Sequence, residues 1–229
     1  MKVSRHAYGA EADQYLERYV PAVARHLGTV LVIHGGFWRP EYDASLGRAI
    51  ATDLAERGYV AVNLEYRRPD RDGYRCIFPD VLAGIASLAD ENVVAVGHSA
   101  GAQLAAYAAA RVPLAGVVAQ AGLLDLATAA ADRVGGRSVL KLLGGTIEEV
   151  PERYREADPI VSAPLEVPVV CVHSRADAWV PFAQSEAYAA KSGCELIEVP
   201  GDHLAHVQPD TPAWAAVLDV LPRMFSRRN

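Results

Sequence analysis

A serine inside a short glycine motif is the strongest chemical signal in the sequence. Ser99 is the centre of Gly-His-Ser-Ala-Gly at residues 97–101, which follows an apolar run and precedes an alanine-rich segment. A strand that turns sharply into a helix at such a motif exposes the hydroxyl at the helix N-terminus, where the dipole favours negative charge. Gly97 and Gly101 let the strand and the helix pack closely. We therefore predict Ser99 as a nucleophile, with the Ala100 N–H beside it.

A serine nucleophile needs a base and an acid from elsewhere in the chain. A histidine must take the hydroxyl proton, and a carboxylate must fix the tautomer of that histidine. Asp177 follows one apolar strand-like run and His203 follows the next. Asp125 is the rival acid, although it fits a helix N-cap better. His206 is the rival base, and a metal pair with His203 lacks a third ligand of suitable spacing. We expect Asp177 and His203 to serve, without metal or cofactor.

A second glycine-rich turn lies upstream, in His-Gly-Gly-Phe-Trp at residues 34–38. Acyl transfer passes through an oxyanion that needs preorganised N–H donors, and a glycine turn lets backbone amides approach it. We assign the N–H groups of Gly36 and Phe37 to this oxyanion hole, together with Ala100. His34 is expected to hold the shape of the loop rather than to transfer protons. The alternative is an ordinary strand-to-loop turn.

Four apolar or aromatic residues lie close in sequence to these loops. They are Trp38, Tyr66, Trp179 and Leu204. One interpretation is that they line an apolar pocket suited to an aryl or short acyl group. Ordinary core or rim packing is an equally good interpretation.

Short β-branched runs alternate with alanine-rich stretches along the chain, which is typical of a parallel sheet covered on both faces. The predicted strands are 29–34, 60–66, 93–97, 114–120, 167–173 and 194–199, with 14–19 as an edge strand. The predicted helices are 45–57, 79–89, 101–111, 181–192 and 214–225. Residues 123–163 break the alternation and predict an insertion of helices and loops that shapes the pocket. We expect an α/β fold in one domain, 1–229.

Composition narrows the class of partner. The net charge is −6, and the only basic cluster, Arg223, Arg227 and Arg228, fits a solvated tail, so nucleic-acid binding is not expected. No apolar stretch approaches the roughly 20 residues that cross a bilayer. No secretory signal is recognised at residues 1–9, and three cysteines without CxxC spacing fit a reducing cytoplasm. The expected partner is a small-molecule ester or amide.

The order of the Ser99 motif, Asp177 and His203, with residues 34–38 upstream, resembles the α/β-hydrolase superfamily over nearly the whole chain. The form His-Gly-Gly-aromatic-Trp is similar to the kynurenine formamidase (arylformamidase) branch and related small carboxylesterases. The resemblance implies a triad of Ser99, Asp177 and His203 that cleaves a small ester or formamide. Gly-His-Ser-Ala-Gly also occurs in prolyl-oligopeptidase-type peptidases, so a small peptidase or amidase stays open. A hydrolase-fold binding protein without turnover is the third alternative.

Overall fold

The computed structural model describes residues 1–25, 28–68 and 73–225, so Arg227 and Arg228 lie outside the described residues. Its strands are β1 (Lys2–Ala7), β2 (Tyr15–Val20), β3 (Thr29–Ile33), β4 (Val60–Leu64), β5 (Val93–His98), β6 (Gly116–Gln120), β7 (Val169–His173) and β8 (Glu195–Glu198). Its α-helices are α1 (Arg48–Glu56), α2 (Ile77–Ala86), α3 (Ala100–Ala109), α4 (Leu126–Ala131), α5 (Ser138–Leu143), α6 (Pro151–Ala157), α7 (Pro159–Ser162), α8 (Ala183–Ser192) and α9 (Pro212–Phe225). Short 3-10 helices span Ala44–Gly47, Gly73–Arg75 and His203–Val207.

The strands form one sheet in the order β1-β2-β4-β3-β5-β6-β7-β8. Strand β2 runs antiparallel to both of its neighbours, and the pairs from β4 to β8 are parallel. Strands β3, β5, β6 and β7 are buried along their whole length, which explains their continuous apolar runs. The predicted mostly parallel sheet is confirmed.

Helices cover both faces of the sheet, because alternate residues of each strand point to opposite sides. In β3, Leu31 and Ile33 pack with residues of α2, α3 and α8 in one apolar cluster. Val30 and Val32 pack with residues of α1 and α9 in the other cluster. Each face of the sheet therefore has its own core, as the sequence predicts.

The amino-terminal edge of the sheet differs from the prediction. Residues 14–19, predicted as an edge strand, correspond to β2, which lies between β1 and β4. The edge strand is β1, which the apolar pattern of the sequence does not predict. Most residues of β1 are exposed, so it lacks the apolar alternation that marks a half-buried strand.

The predicted insertion between β6 and β7 is present and holds α4 to α7. Asp158 lies between α6 and α7. Its carboxylate accepts hydrogen bonds from the amides of Leu126 and Ala127 and so links this point of the chain to the start of α4. Burial raises the pKa of Asp158 to about 6 against the effect of these amides. Within the described residues, no helix is both long enough and apolar enough to span a membrane.

Candidate active site

The turn between β5 and α3 holds Ser99 in a strained backbone conformation. Its φ and ψ angles are 57° and −119°, which a residue with a side chain rarely adopts. A methyl group on Gly97 would lie 2.3 Å from the carbonyl oxygen of Gly101. A methyl group on Gly101 would lie 2.0 Å from the carbonyl oxygen of Ile33. The two glycines are therefore required by the close approach of β3, β5 and α3.

The Ser99 hydroxyl lies at the N-terminus of α3, at the wall of a cavity. Within the described part of the chain, its Oγ makes no hydrogen bond. The Ala100 amide belongs to the first turn of α3, and amides there have no acceptor inside the helix. An unpaired hydroxyl at this cavity and a first-turn amide thus belong to neighbouring residues of the chain.

Asp177 and His203 form a buried hydrogen-bonded pair. The Nδ1–H of His203 donates to Oδ2 of Asp177 over 2.6 Å. Both side chains come from loops that follow the carboxyl ends of strands, β7 for Asp177 and β8 for His203. Because Nδ1 carries the proton, Nε2 of His203 is the basic nitrogen of the ring. His203 lines the same cavity as Ser99.

Three further donors hold the Asp177 carboxylate in place. Its Oδ1 accepts from the amides of Trp179 and Val180 over 2.8 and 2.9 Å. His173 Nε2 shares its N–H between Oδ2 at 3.3 Å and the Val180 carbonyl oxygen at 3.1 Å, while its Nδ1 contacts the Ser185 hydroxyl over 2.8 Å. Burial by itself would raise the pKa of Asp177, but the hydrogen bonds from His173, His203 and the Val180 amide lower it far below the usual range. Asp177 is therefore ionised.

Two more histidines pack behind His203. His98 donates from Nε2 to the carbonyl oxygen of His203 over 2.9 Å, and the two rings lie 4.5 Å apart. Burial and the neighbouring histidines lower the pKa of His98 well below its ordinary value. His206 is buried, its ring nitrogens have no hydrogen-bond partner among the described residues, and burial lowers its pKa to about 4. Asp177 thus pairs with His203 and not with His206.

The loop at residues 34–38 approaches the serine turn closely. Its residues Gly36, Phe37 and Trp38 all have positive φ angles, of 108°, 51° and 57°. A methyl group on Gly35 would lie 2.9 Å from Cβ of Ser99, so only glycine fits at this position. Gly36 and Phe37 line the cavity beside Ser99.

His34, which we expected to hold the shape of this loop, has a hydrogen-bond partner at each of its ring nitrogens. Its Nδ1 lies 2.8 Å from the Gly35 carbonyl oxygen, and its Nε2 lies 3.3 Å from Oε1 of Glu65. Burial alone would raise the pKa of Glu65, but hydrogen bonding to His34 and the charge of Arg68 outweigh burial and lower it. The His34 ring stacks on Tyr66 with a centroid distance of 4.5 Å. His34 therefore connects the loop to the two residues that directly follow β4.

The cavity at Ser99 has a volume of about 500 Å³. It is lined mainly by apolar groups, from Gly36, Phe37, Arg39, Tyr42, Leu46, His98, Ser99, Gly135, Ala178, Trp179, His203, Leu204 and Val207. Trp179 and Leu204 are among these lining residues, and the Trp179 ring lies 5.1 Å from that of His203.

The pocket assignment of Trp38 and Tyr66 is wrong. Both side chains are buried in the core. Trp38 donates from Nε1 to Gln103 Oε1 over 3.2 Å, and Tyr66 donates its hydroxyl to the His34 carbonyl oxygen over 2.9 Å. They pack against the residue 34–38 loop from the hydrophobic core and do not line the cavity.

The insertion contributes one wall of the cavity through Gly135. A methyl group on Gly135 would lie 2.3 Å from the Phe37 ring. Arg39 also binds the insertion, because its Nη2 donates to the Gly135 carbonyl oxygen over 2.7 Å. Residue types alone gave no signal for this contact between distant segments.

The eight-stranded sheet, with its one antiparallel strand and the serine turn after β5, has the architecture of the α/β-hydrolase fold. The model of the BD-FAE family matches residues 16–191, well over half of the chain. The protein therefore belongs to the BD-FAE family, a family of esterases with an α/β-hydrolase-like fold. The matched region includes Ser99 and Asp177 and ends before His203.

Solved esterase structures share this fold. Esterase B from Lactobacillus rhamnosis, in a complex described as C4-C4 SN3 tributyrin phosphonate inhibited, has a TM-score of 0.76 and 20% identity, covering 97% of this chain and 85% of its own. A truncated carbohydrate esterase from gut microbiota has a TM-score of 0.77 and 17% identity, covering 97% and 95%. The butyrate-bound esterase Est2 from Thermogutta terrifontis has a TM-score of 0.72 and 20% identity, covering 99% and 96%. Among curated proteins, no significant sequence match is found.

Proposed function

We propose that the protein is a serine hydrolase that cleaves a small ester or formamide through an acyl-enzyme on Ser99. The hydrogen-bonded pair of Asp177 and His203, at the same cavity as Ser99, carries this proposal. Family membership supports an esterase-type hydrolase. The strained backbone of Ser99 and its position at a helix N-terminus support its role as the nucleophile.

In the first half of the reaction, Ser99 Oγ attacks the substrate carbonyl carbon while His203 Nε2 takes the hydroxyl proton. The ionised Asp177 stabilises the imidazolium that forms and keeps Nδ1 protonated. The tetrahedral intermediate then collapses, and the bond from the carbonyl carbon to the leaving oxygen or nitrogen breaks. His203 returns the proton to the leaving group, and the acyl group remains on Ser99.

In the second half, water attacks the acyl-enzyme and transfers a proton to His203 Nε2. Collapse of the second intermediate releases the carboxylic acid and returns the proton to Ser99. In this structure the hydroxyl makes no hydrogen bond with His203. Such catalytic contacts are often long without substrate and shorten in the complex.

We assign the oxyanion hole to the amides of Ala100, Gly36 and Phe37. The Ala100 amide lies next to the nucleophile at the start of α3, and the glycine loop presses against Ser99. Loss of one such donor typically costs on the order of 10² to 10³ in kcat. His34, held by Glu65 and Tyr66, is a positioning residue for this loop.

The Ser99→Ala variant tests the nucleophile. We expect kcat to fall by on the order of 10⁴ or more and labelling by a fluorophosphonate to disappear. Ser87→Ala is the matched control, since the Ser87 hydroxyl, within the described residues, donates to the Gly84 carbonyl oxygen at the end of α2. Wild-type turnover in Ser99→Ala would end the proposal. A folded wild-type protein that neither turns over nor takes up the label would favour a ligand-binding protein.

The substrate class follows from kcat/KM on three compounds. N-formylkynurenine represents a formamide, an aryl acetate represents an ester, and an aminoacyl arylamide represents a peptidase substrate. A preference of about 100-fold, or about 2.7 kcal/mol of differential transition-state binding, identifies the class. We expect the arylamide to be the poorest of the three. Preference for the arylamide would contradict the ester or formamide assignment.

A further inference from the structure

We propose that Arg39 forms an anion-binding subsite of the cavity, so that the preferred substrates carry a carboxylate away from the scissile carbonyl. This inference rests on the proposed hydrolase function and adds the substrate class. Arg39 follows the residue 34–38 loop directly and lies at the wall that also holds Ser99 and His203.

Arg39 is the only Arg or Lys among the cavity-lining residues of the described chain, and no Asp or Glu accompanies it there. The rest of the lining is apolar or aromatic, apart from Ser99, two histidines and Tyr42. A guanidinium stays charged in proteins, so it gives this wall a fixed positive charge.

The contacts of Arg39 fix its guanidinium without neutralising it. Nε and Nη2 contact the Ser138 hydroxyl over 3.1 and 3.0 Å, and Nη2 donates to the Gly135 carbonyl oxygen over 2.7 Å. These acceptors are neutral. The described residues include no carboxylate that forms an ion pair with Arg39, and Nη1 takes part in none of their hydrogen bonds. The charge is held in position and keeps donors for an anion.

An aromatic surface lies beside this charge. The guanidinium carbon of Arg39 is 5.4 Å from the centre of the Phe37 ring, and Phe37 also lines the cavity. An aryl or acyl chain can pack on Phe37 while a carboxylate at its end reaches Nη1. Charge-assisted hydrogen bonds of this kind are about twice as strong as neutral ones. The geometry therefore favours an apolar substrate body with an anionic end.

Two pairs of esters of matched size test the subsite. The first pair places the charge on the leaving group, as 4-acetoxybenzoate against 4-acetoxybenzamide. The second places it on the acyl group, as mono-4-nitrophenyl adipate against 4-nitrophenyl 6-methylheptanoate. Each kcat/KM is divided by the rate constant for hydroxide hydrolysis, which removes differences in intrinsic reactivity. At low salt we expect the anionic member of at least one pair to be preferred about tenfold, or about 1.4 kcal/mol.

The Arg39→Gln variant should lower that preference to near unity, and Arg39→Lys should retain part of it. The ratio of two substrates within one variant is unaffected by loss of active enzyme, so a purely structural role of Arg39 would leave it unchanged. Arg175→Gln is the matched control, because Arg175 is exposed and pairs with Glu186 and Glu198. Removal of that charge should leave the ratio as it is in the wild type.

Inhibition of the wild-type enzyme gives a measurement that needs no variant. Benzoate should inhibit hydrolysis of a neutral ester more strongly than benzamide does, and added salt should weaken that difference. Ser99-dependent hydrolysis without preference for anions in either pair, or an equal preference in Arg39→Gln, would overturn the subsite and leave the proposed function intact. Absence of Ser99-dependent hydrolysis for all four esters would overturn the proposed function itself.

Discussion

Replacement of Asp177 by asparagine changes the proton position on His203 while it keeps the shape of the side chain. In the wild type, Oδ1 accepts from the amides of Trp179 and Val180, and Oδ2 accepts from His203 Nδ1. An asparagine must keep its oxygen toward the two amides, because its NH2 group cannot accept from them. Its NH2 group then faces His203 Nδ1 and acts as a donor.

A donor at this position favours the wrong tautomer of His203. Nδ1 becomes the acceptor, Nε2 carries the proton, and Ser99 loses its base. The equivalent change in a serine protease lowers kcat by about 10⁴, and we expect a similar fall here, equal to about 5.4 kcal/mol. The 2.6 Å contact and the strongly lowered pKa of Asp177 indicate that the wild-type pair depends on the charged acceptor.

The assay is kcat on an aryl acetate, with circular dichroism and a urea melt to establish that the variant is folded. Asp125→Asn is the matched control, since Asp125 caps α4 by accepting from the amide and the hydroxyl of Thr128. Its loss should cost at most about 2 kcal/mol of stability and leave kcat unchanged. A folded Asp177→Asn enzyme whose kcat stays within tenfold of the wild type would refute the assigned role of Asp177.

Two further predictions concern stability. Gly101→Ala should lower the free energy of unfolding by about 3 kcal/mol in urea, because its methyl group would lie 2.0 Å from the Ile33 carbonyl oxygen, whereas Gly145→Ala meets the flexible side chain of Glu149 and should cost less. The second prediction concerns His206, whose pKa is about 4 against an ordinary 6.5. Below about pH 6.5 the unfolded chain binds more protons than the folded chain, so the free energy of unfolding decreases as the pH is lowered. By about pH 5 the loss is about 2 kcal/mol, which His206→Leu should remove; parallel pH profiles of the two proteins would contradict this.

The central strands could be predicted from the sequence because a strand that is buried on both faces consists almost entirely of apolar residues. Strands β3, β5, β6 and β7 read as continuous apolar runs, and each is buried throughout. Strand β1 has no such apolar run, since most of its side chains are exposed to solvent. Strand β2 contains Glu17, whose buried carboxylate accepts hydrogen bonds from Arg48 and Asn63. Because of this charged residue, the sequence of β2 is more polar than is typical of a strand inside a sheet.

The positions of Ser99, Asp177 and His203 could be predicted because the carboxyl ends of parallel strands share one edge of the sheet. Residues that follow different parallel strands are therefore close in space even when they are far apart in the chain. The structure joins Asp177 to His203 at that edge, with Ser99 at the same cavity. The role of His173 as a second donor to Asp177 could not be predicted in this way, because it depends on the path of a loop.

Side-chain direction and contacts between distant segments limit prediction of the pocket. Trp38 is one residue from Phe37, yet its ring turns into the core toward Gln103 while Phe37 lines the cavity. Both residues have positive φ angles, a backbone conformation that their residue types do not reveal. The contact between Arg39 and Gly135 spans 96 positions of the chain. Such contacts form the lining of the cavity, so the loop positions of Ser99, Asp177 and His203 could be predicted from sequence order, whereas the position of Arg39 in the lining required the structure.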